Sequence, residues 1–192
     1  MDERNGRALF LDRDGVINVD TGYVHSREAF RFQDGIFELC EAAQAQGYLV
    51  VVVTNQAGIG RGYYSESTFL ELTKWMVETF AHRKIRIAGV YYCPYHPTDG
   101  VGHYKYDSPD RKPNPGMLLR AQHDLNLDLA SSVLVGDRLS DIHAAEAAGV
   151  GTKILLRPDV GHRQCGEGQC YVAPSLDDVR HRFFSDTKGI RE

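Results

Sequence analysis

The chain has 192 residues, and its 22 Lys and Arg against 26 Asp and Glu give a formal net charge of −4. This balance argues against a protein that binds nucleic acid or a membrane surface through a basic face. No apolar run approaches membrane-spanning length and the N-terminal residues are polar, so we expect a cytoplasmic protein.

Short apolar runs alternate with helical patterns along the chain. The runs that predict strands cover residues 8–11, 48–53, 90–92, 132–135 and 152–156. The patterns that predict helices cover 36–46, 66–83, 115–125, about 139–148 and a short segment after Pro174 and Ser175. We expect Ser65 and Asn114 to begin two of these helices, and Gly47 and Gly149 to end two others.

This alternation predicts an α/β fold with a doubly wound, mostly parallel sheet and helices on both faces. The length suits one domain over residues 1–192, with its core at roughly 7–157 and a C-terminal loop, strand and helix over 158–192. In such a sheet, ligands bind beyond the carboxyl ends of the strands, so the polar motifs at those ends are the candidates for chemistry.

Two carboxylates, Asp12 and Asp14, follow the first apolar run where it meets Gly15. Residues i and i+2 of an extended segment point to the same side, so both carboxylates can face one space. Crowded carboxylates repel each other unless a metal neutralises them or one carries a proton, and both conditions suit phosphoryl transfer. A solvated acidic turn is an equally good interpretation of this pair taken alone.

Polar residues also follow the second and fourth apolar runs. Thr54 precedes a glycine-rich turn whose N–H groups can hold phosphate oxygens, although such a position is often a simple turn. Asp137 is expected beside Asp12, since the ends of parallel strands meet at one edge, and their oxygens favour magnesium. Asp141 could orient Asp137 or a water ligand, or could cap the helix that follows.

A basic pair, Arg111 and Lys112, precedes the helix predicted at 115–125. Lys112 can neutralise Asp12 and a phosphate oxygen together, and Arg111 offers a planar fork for a second anionic group. A surface Arg-Lys pair before a helix is otherwise common, so this motif gains weight only from the others.

The order of these four motifs resembles the haloacid dehalogenase (HAD) superfamily of phosphatases. Within it, segments 12–18, 20–24, 54–62 and 111–113 look like the D-glycero-D-manno-heptose 1,7-bisphosphate 7-phosphatases of the histidinol-phosphatase-like branch. The resemblance implies a HAD-like Rossmannoid fold without a separate cap domain. It also implies magnesium-dependent removal of the 7-phosphate from a small sugar bisphosphate, in nucleotide-activated heptose biosynthesis for lipopolysaccharide or capsule.

The resemblance further implies a role for each matching residue. Asp12 would be the nucleophile and Asp14 the general acid and base, while Thr54 and Lys112 would stabilise the phosphoryl group. Magnesium would be held by Asp12, the backbone carbonyl of Asp14 and Asp137. The implied substrate-binding residues are Asp20, Gly22, Tyr23, Asn55, Gln56, Arg111 and Arg138.

One departure from the family concerns a zinc-binding loop, which usually carries Cys-x-His and later Cys-x-Cys before Arg-Lys. The corresponding positions here are Cys93, Tyr95, Ser108 and Asp110, so three of the four ligands are replaced. Because structural zinc prefers a complete set of four ligands, we expect no zinc. The loop is then expected to be held by packing, in which Tyr92, Tyr95, Tyr104, Tyr106 and the prolines would take part.

The four cysteines are too few and too irregularly spaced for a disulfide framework in a chain of this size. Two of them lie in a glycine-rich loop, but two cysteines do not make a metal site. We therefore expect reduced thiols at Cys40, Cys93, Cys165 and Cys170.

Two alternatives to the heptose phosphatase remain open from the sequence. One is a phosphatase for histidinol phosphate or another small phosphomonoester, although histidinol-phosphate phosphatases typically lack the features at 22–24 and 58–62. The other is a scaffold that binds a sugar phosphate without cleaving it. The sequence does not determine the preferred anomer or the oligomeric state, for which a monomer is slightly favoured.

Overall fold

The computed structural model describes residues 6–158, 164–165 and 170–185. Its strands are β1 (Arg7–Leu11), β2 (Tyr48–Asn55), β3 (Ile87–Cys93), β4 (Val133–Gly136), β5 (Thr152–Leu156), β6 (Gln164–Cys165) and β7 (Cys170–Ala173). Its helices are α1 (Ile36–Ala45), α2 (Ala57–Gly60), α3 (Glu66–His82), α4 (Gly116–Leu125), α5 (Leu139–Ala148) and α6 (Leu176–Phe183). A short 3-10 turn covers Gly102–Tyr104.

The strands form one sheet in the order β3-β2-β1-β4-β5-β7-β6. Neighbouring strands from β3 to β7 pair in parallel, and β6 pairs antiparallel to β7 at the edge. This confirms the predicted doubly wound α/β fold. The chain builds β2 and β3 on one side of β1 and then crosses to β4 on the other, so the strand order reverses between β1 and β4. Such a reversal opens a crevice at the carboxyl ends of the strands.

The core lies on both faces of this sheet. Along β1, Leu9 and Leu11 belong to a cluster with residues of α1, α3 and α6, whereas Ala8 and Phe10 belong to a cluster with residues of α4 and α5. Strands that are buried on both faces need apolar residues at every position. This explains why the predicted strands are continuous apolar runs rather than alternating ones.

Most of the helix ends that we compared lie where the local sequence signals predicted them. Ser65 caps α3 by accepting a hydrogen bond from the backbone N–H of Thr68, and Gly149 ends α5 in the left-handed conformation. The start of α4 differs from the prediction, because Pro115 is its N-cap and the Asn114 amide instead donates to the carbonyl of Ser108. The short helix α2, within the glycine-rich turn, was not predicted.

The C-terminal strand and helix that we expected correspond to β7 and α6. Parts of the expected C-terminal loop, at 159–163 and 166–169, and the last residues, 186–192, lie outside the described residues. Within the described part of the chain, none of the helices is both long and apolar enough to cross a membrane.

The cysteines correct one expectation. Cys40 and Cys93 are free, as expected, and both are buried, but Cys170 is disulfide-bonded, so the expectation of four reduced thiols is wrong. The backbone register of β6 and β7 places position 165 directly opposite position 170, a relation that sequence spacing did not reveal. The side chain of Cys165 lies outside the described residues.

Ser132 joins the start of β1 to the segment before β4, which allows a stability prediction. Its buried hydroxyl accepts from the N–H of Ala8 at 2.9 Å and donates to the carbonyl of Asp128 at 2.6 Å. Ser132→Ala leaves both groups without this partner, so we expect the free energy of unfolding in urea to fall by about 1–3 kcal/mol. The exposed neighbour offers the control Ser131→Ala, for which we expect a change within about 0.5 kcal/mol. Equal losses for the two variants would contradict this role of Ser132.

Candidate functional site

The polar residues singled out in the sequence meet beyond the carboxyl ends of β1, β2 and β4. Asp12 directly follows β1, Thr54 lies at the end of β2, and Asp137 directly follows β4. They surround the crevice where the strand order reverses, and a cavity of about 390 Å³ opens there. The cavity is lined by Asp12, Asp14, Asp20, Gly22, Tyr23, Thr54, Asn55, Ala57, Gly58, Arg61, Tyr64, Arg111, Lys112, Arg138, Ser140 and Asp141.

Lys112 is the central cation of this site and is only 4% exposed. Its Nζ lies 2.9 Å from Asp12 Oδ1 and 2.6 Å from Asp141 Oδ1, and it donates to the carbonyl of Val53 at 2.9 Å. Burial lowers the pKa of Lys112, but the two carboxylates raise it more, so the net shift is upward. The ammonium group therefore stays charged, with three oxygens within 2.9 Å of its nitrogen.

Asp12 is buried beside this lysine, and its Oδ1 also accepts the backbone N–H of Arg13 at 2.7 Å. Burial raises the pKa of Asp12 from 3.8 to about 7, although Lys112 opposes the shift. The carboxylates of Asp141, Asp137 and Asp14 add to the rise. A nucleophilic Asp12 must be ionised, so the site favours a further cation that would lower this pKa.

Asp12, Asp137 and Asp141 form a group whose oxygens lie within 4.8 Å of one another. Among the described residues, it is the only set of three or more His, Cys, Asp or Glu side chains placed to share a metal ion. Asp137 Oδ1 is buried and has no hydrogen-bond partner. Burial and the nearby Asp141 raise the pKa of Asp137. An unpartnered oxygen among hard carboxylate donors fits a divalent cation such as magnesium.

Two glycines make this crowding possible. Gly15 has a φ of +89°, and a Cβ there would overlap the carboxylate of Asp137. At Gly136 a Cβ would overlap the side chain of Asp141. The turns after β1 and β4 therefore need glycine so that the acidic side chains can approach the strand ends.

Asp141 caps α5, which was one of the alternatives that the sequence left open for it, and it also pairs with Lys112, which was not predicted. At the N3 position of α5, its Oδ2 accepts the backbone N–H of Arg138 at 2.9 Å. Its Oδ1 faces Lys112 rather than Asp137. The first turn of α5 thus fixes a second counter-charge for the buried lysine.

Asp14 lies beside the cavity, with both carboxylate oxygens occupied. They accept hydrogen bonds from Arg13 Nη2 at 2.8 Å, from Asn18 Nδ2 at 3.1 Å and from Gln56 Nε2 at 3.1 Å. Gln56 also donates to Thr54 Oγ1 at 2.8 Å, which connects the second carboxylate to the hydroxyl at the end of β2.

Arg13 was not singled out from the sequence, although its guanidinium is the main partner of Asp14. It is 1% exposed, donates to the carbonyl of Val24 at 2.7 Å and lies over the ring of Phe69. An arginine between two aspartates suggests a solvated turn. Its burial depends on Val24 and Phe69, which are distant in sequence.

The remaining predicted residues surround the cavity or support those that do. Asn55 binds the backbone of Lys112 from both sides, since its Nδ2 donates to the Lys112 carbonyl and its Oδ1 accepts the Lys112 N–H. Arg138 pairs with Asp20 at 3.0 Å. Arg111 donates to the carbonyl of Tyr95 at 3.2 Å. Gly22 and Tyr23 line the cavity, whereas Gln56 is buried behind its wall.

Several residues of the cavity wall were missed. Arg61, Tyr64 and Ser140 line it without having been predicted, and Arg61 pairs with Asp99 at 2.5 Å. Arg61 is the second-last residue of the glycine-rich motif at 54–62, so its place in that motif was the signal that could have identified it. Tyr64 donates to Gln56 Oε1 at 2.7 Å and approaches closely because Gly58 has no side chain.

The chain is similar to several known phosphatases. A HAD-hydrolase-like family model matches residues 110–179. The D-glycero-alpha-D-manno-heptose-1,7-bisphosphate 7-phosphatase of Burkholderia mallei is 63% identical over 150 residues, 78% of this chain and 79% of that protein. The D-glycero-beta-D-manno-heptose-1,7-bisphosphate 7-phosphatase of Vibrio cholerae is 52% identical over 173 residues, 90% of this chain and 92% of that protein. The crystal structure of the D,D-heptose 1,7-bisphosphate phosphatase from B. bronchiseptica, complexed with magnesium and phosphate, is similar with a TM-score of 0.77 and 28% identity. That match covers 91% of this chain and 96% of the other.

Removing the lysine charge tests the electrostatics of the site. Lys112→Met leaves Asp12 and Asp141 buried without their cation, so we expect the free energy of unfolding to fall by about 3–5 kcal/mol at neutral pH. The native pKa of Asp12 lies above its ordinary value, and the variant raises it further. Both proteins lose stability as pH rises from 3.8, but the loss in the wild type levels off near pH 7, where its Asp12 ionises, so the difference between variant and wild type should grow as pH rises above about 7.

Urea denaturation of the metal-free protein over this pH range measures the effect. Lys74→Met is the control, because Lys74 is exposed and its ion pair with Glu78, at 3.9 Å, lies on the surface. A loss at Lys112 that does not depend on pH would contradict the buried ion pair.

Proposed function

Because the chain belongs to the D-glycero-D-manno-heptose 1,7-bisphosphate 7-phosphatase family, we propose that it hydrolyses the 7-phosphate of D-glycero-D-manno-heptose 1,7-bisphosphate. The observation that carries this proposal is the buried contact between Lys112 Nζ and Asp12, at a cavity that Asp12 and Asp141 of the acidic group both line. A nucleophilic carboxylate, a lysine and hard oxygen donors together are the requirements of phosphoryl transfer.

The same cavity supports a substrate with two phosphates. Three guanidinium groups line it, from Arg61, Arg111 and Arg138, while Lys112 lies beside the nucleophile. Their carboxylate partners, Asp99 for Arg61 and Asp20 for Arg138, occupy only part of the five donors of each arginine. A second phosphate can therefore be bound by arginine forks while the first is at Asp12.

Magnesium would be held by Asp12, by Asp137 and by the backbone carbonyl of Asp14. When bound, it would neutralise charge on the phosphoryl oxygens and keep Asp12 ionised. The support in this chain is the unpartnered Asp137 Oδ1 and the raised pKa of Asp12.

In the first step, an oxygen of Asp12 attacks phosphorus and forms an aspartyl-phosphate. The bond from phosphorus to the sugar oxygen breaks, and that oxygen takes the electron pair and a proton from Asp14. Lys112 Nζ and the Thr54 hydroxyl stabilise the charge on the transferred group. In the second step, Asp14 takes a proton from water, which attacks phosphorus, and the bond to Asp12 breaks to give inorganic phosphate.

The hydrogen bonds of Asp14 place a condition on this mechanism. Its oxygens accept bonds from Arg13, Asn18 and Gln56, so proton donation requires that Asp14 bind a proton and release one of these donors. Gln56 is the partner that also contacts Thr54, the residue proposed to stabilise the phosphoryl group. Substrate binding at Thr54 would thus affect the hydrogen bonding of Asp14 through Gln56.

Replacing the nucleophile tests the covalent route. Asp12→Asn should abolish phosphate release, because an amide cannot form the aspartyl-phosphate, while circular dichroism and the unfolding transition should show a folded protein. Phosphate release is measured on the alpha and beta anomers of the heptose bisphosphate, with histidinol phosphate as a comparison substrate. Asp34→Asn, which changes an exposed carboxylate, is the control and should keep wild-type activity.

Substantial turnover by Asp12→Asn would refute the covalent mechanism. Wild-type activity on histidinol phosphate without activity on either heptose anomer would refute the proposed substrate. Binding of the bisphosphates without any release of phosphate would favour a non-catalytic scaffold.

Magnesium binding has a measurable signature that does not depend on turnover. We expect magnesium to raise the Tm of the wild-type protein more at pH 7.5 than at pH 5, because protons compete for Asp12, whose pKa without the ion is about 7. Asp137→Asn should remove most of this increase and should stabilise the metal-free protein, since burial and the nearby Asp141 disfavour the charged form of Asp137. Differential scanning fluorimetry measures both effects, and Asp34→Asn should respond to magnesium as the wild type does. An equal magnesium shift in Asp137→Asn would contradict the proposed site.

A further inference from the structure

The loop of residues 94–112, called the β3–α4 loop here, brings Arg111 and Lys112 to the cavity. The family that the sequence resembles usually carries zinc ligands in this region, but Tyr95, Ser108 and Asp110 occupy three of those positions here. The loop therefore needs another source of rigidity, because an arginine that is poorly held binds its anion less well.

Glu66, the first residue of α3, binds two tyrosines of this region. Its Oε1 accepts the hydroxyl of Tyr104 at 2.6 Å, and its Oε2 accepts the hydroxyl of Tyr92 at 2.7 Å. These hydrogen bonds lower the pKa of Glu66, so the carboxylate is ionised near neutral pH. Glu66 thus connects α3 both to β3, through Tyr92, and to the β3–α4 loop, through Tyr104.

A chain of contacts leads from Tyr104 to the cavity. The carbonyl of Tyr104 accepts the N–H of His96 at 3.0 Å, and its ring lies 5.9 Å from the ring of Tyr95 between centroids. The carbonyl of Tyr95 in turn accepts a hydrogen bond from Arg111 Nη1 at 3.2 Å. These contacts connect the side chain of Tyr104 to the guanidinium of Arg111 through Tyr95.

Close backbone packing shows that this part of the loop has little room to adjust. A Cβ at Gly60 would overlap the carbonyl of Pro94, and a Cβ at Gly100 would overlap the carbonyl of Tyr104. The N–H of Val101 donates to the carbonyl of Gly60 at 2.8 Å. The loop therefore lies directly on α2 at this point, and its backbone packs around Tyr104 without a gap.

We propose that Glu66 is a positioning residue that holds the β3–α4 loop through the hydroxyls of Tyr92 and Tyr104 and thereby orients Arg111 toward an anionic group of the substrate. This inference rests on the proposed function in one respect, namely that the anionic group is the second phosphate of the substrate. Glu66 itself does not line the cavity and takes no part in the chemical steps.

The variant Glu66→Gln tests this role, because it keeps the shape of the side chain but turns one acceptor into a donor. We expect KM for the heptose bisphosphate to rise on the order of tenfold with kcat almost unchanged, as a charge-assisted hydrogen bond is lost. KM for p-nitrophenyl phosphate, which has no second phosphate, should stay at the wild-type value. Tyr104→Phe should reproduce this pattern, and Glu71→Gln, an exposed change on the same helix, should have no effect.

Hydrogen exchange gives a readout that is independent of the substrate. The amides of residues 94–106 should exchange faster in Glu66→Gln than in the wild type, while the amides of β1 keep their protection. If the wild type does not hydrolyse the heptose bisphosphates but the loop exchanges faster in the variant, the proposed function fails and the role of Glu66 in holding the loop is supported. Unchanged loop exchange, or an equal rise in KM for both substrates, would overturn the inference.

Discussion

The buried contact of Lys112 with Asp12 and Asp141 is the interaction on which the rest of the site depends. One ammonium group faces two carboxylates, and Asp137 adds a third acidic group nearby. Buried charges are tolerated only when they are paired, so this arrangement carries an excess of negative charge that calls for another cation. These groups are brought together by the glycine turns after β1 and β4 and by the first turn of α5.

The sequence predicted the elements well, because their signals are local. Continuous apolar runs identified β1, β2, β4 and β5, and serine and glycine identified helix ends. It also predicted that Asp12, Thr54 and Asp137 would meet, since that follows from placing each at the end of a parallel strand. Their catalytic roles are a further step, which rests on the family and on chemistry rather than on position.

Features that depend on contacts between distant segments could not be predicted. The partner of Asp141 is Lys112, on a different loop, and the partners of Arg13 include Val24 and Phe69. The hydrogen bonds of Glu66 to Tyr92 and Tyr104 could not be predicted either, because Glu66 lies 26 and 38 residues from these tyrosines. The bonded state of Cys170 was missed for a similar reason, since the two-residue strand β6 is too short to be recognised by its pattern.

Lys112 and Arg111 are neighbours in sequence, yet they are anchored to different parts of the molecule. Both ends of Lys112 are fixed to β2, its backbone by Asn55 and its ammonium group by the carbonyl of Val53. The guanidinium of Arg111 is instead fixed to Tyr95, within the β3–α4 loop. A shift of the loop backbone at Tyr95 would therefore displace the guanidinium of Arg111 while the ammonium group of Lys112 stayed in place.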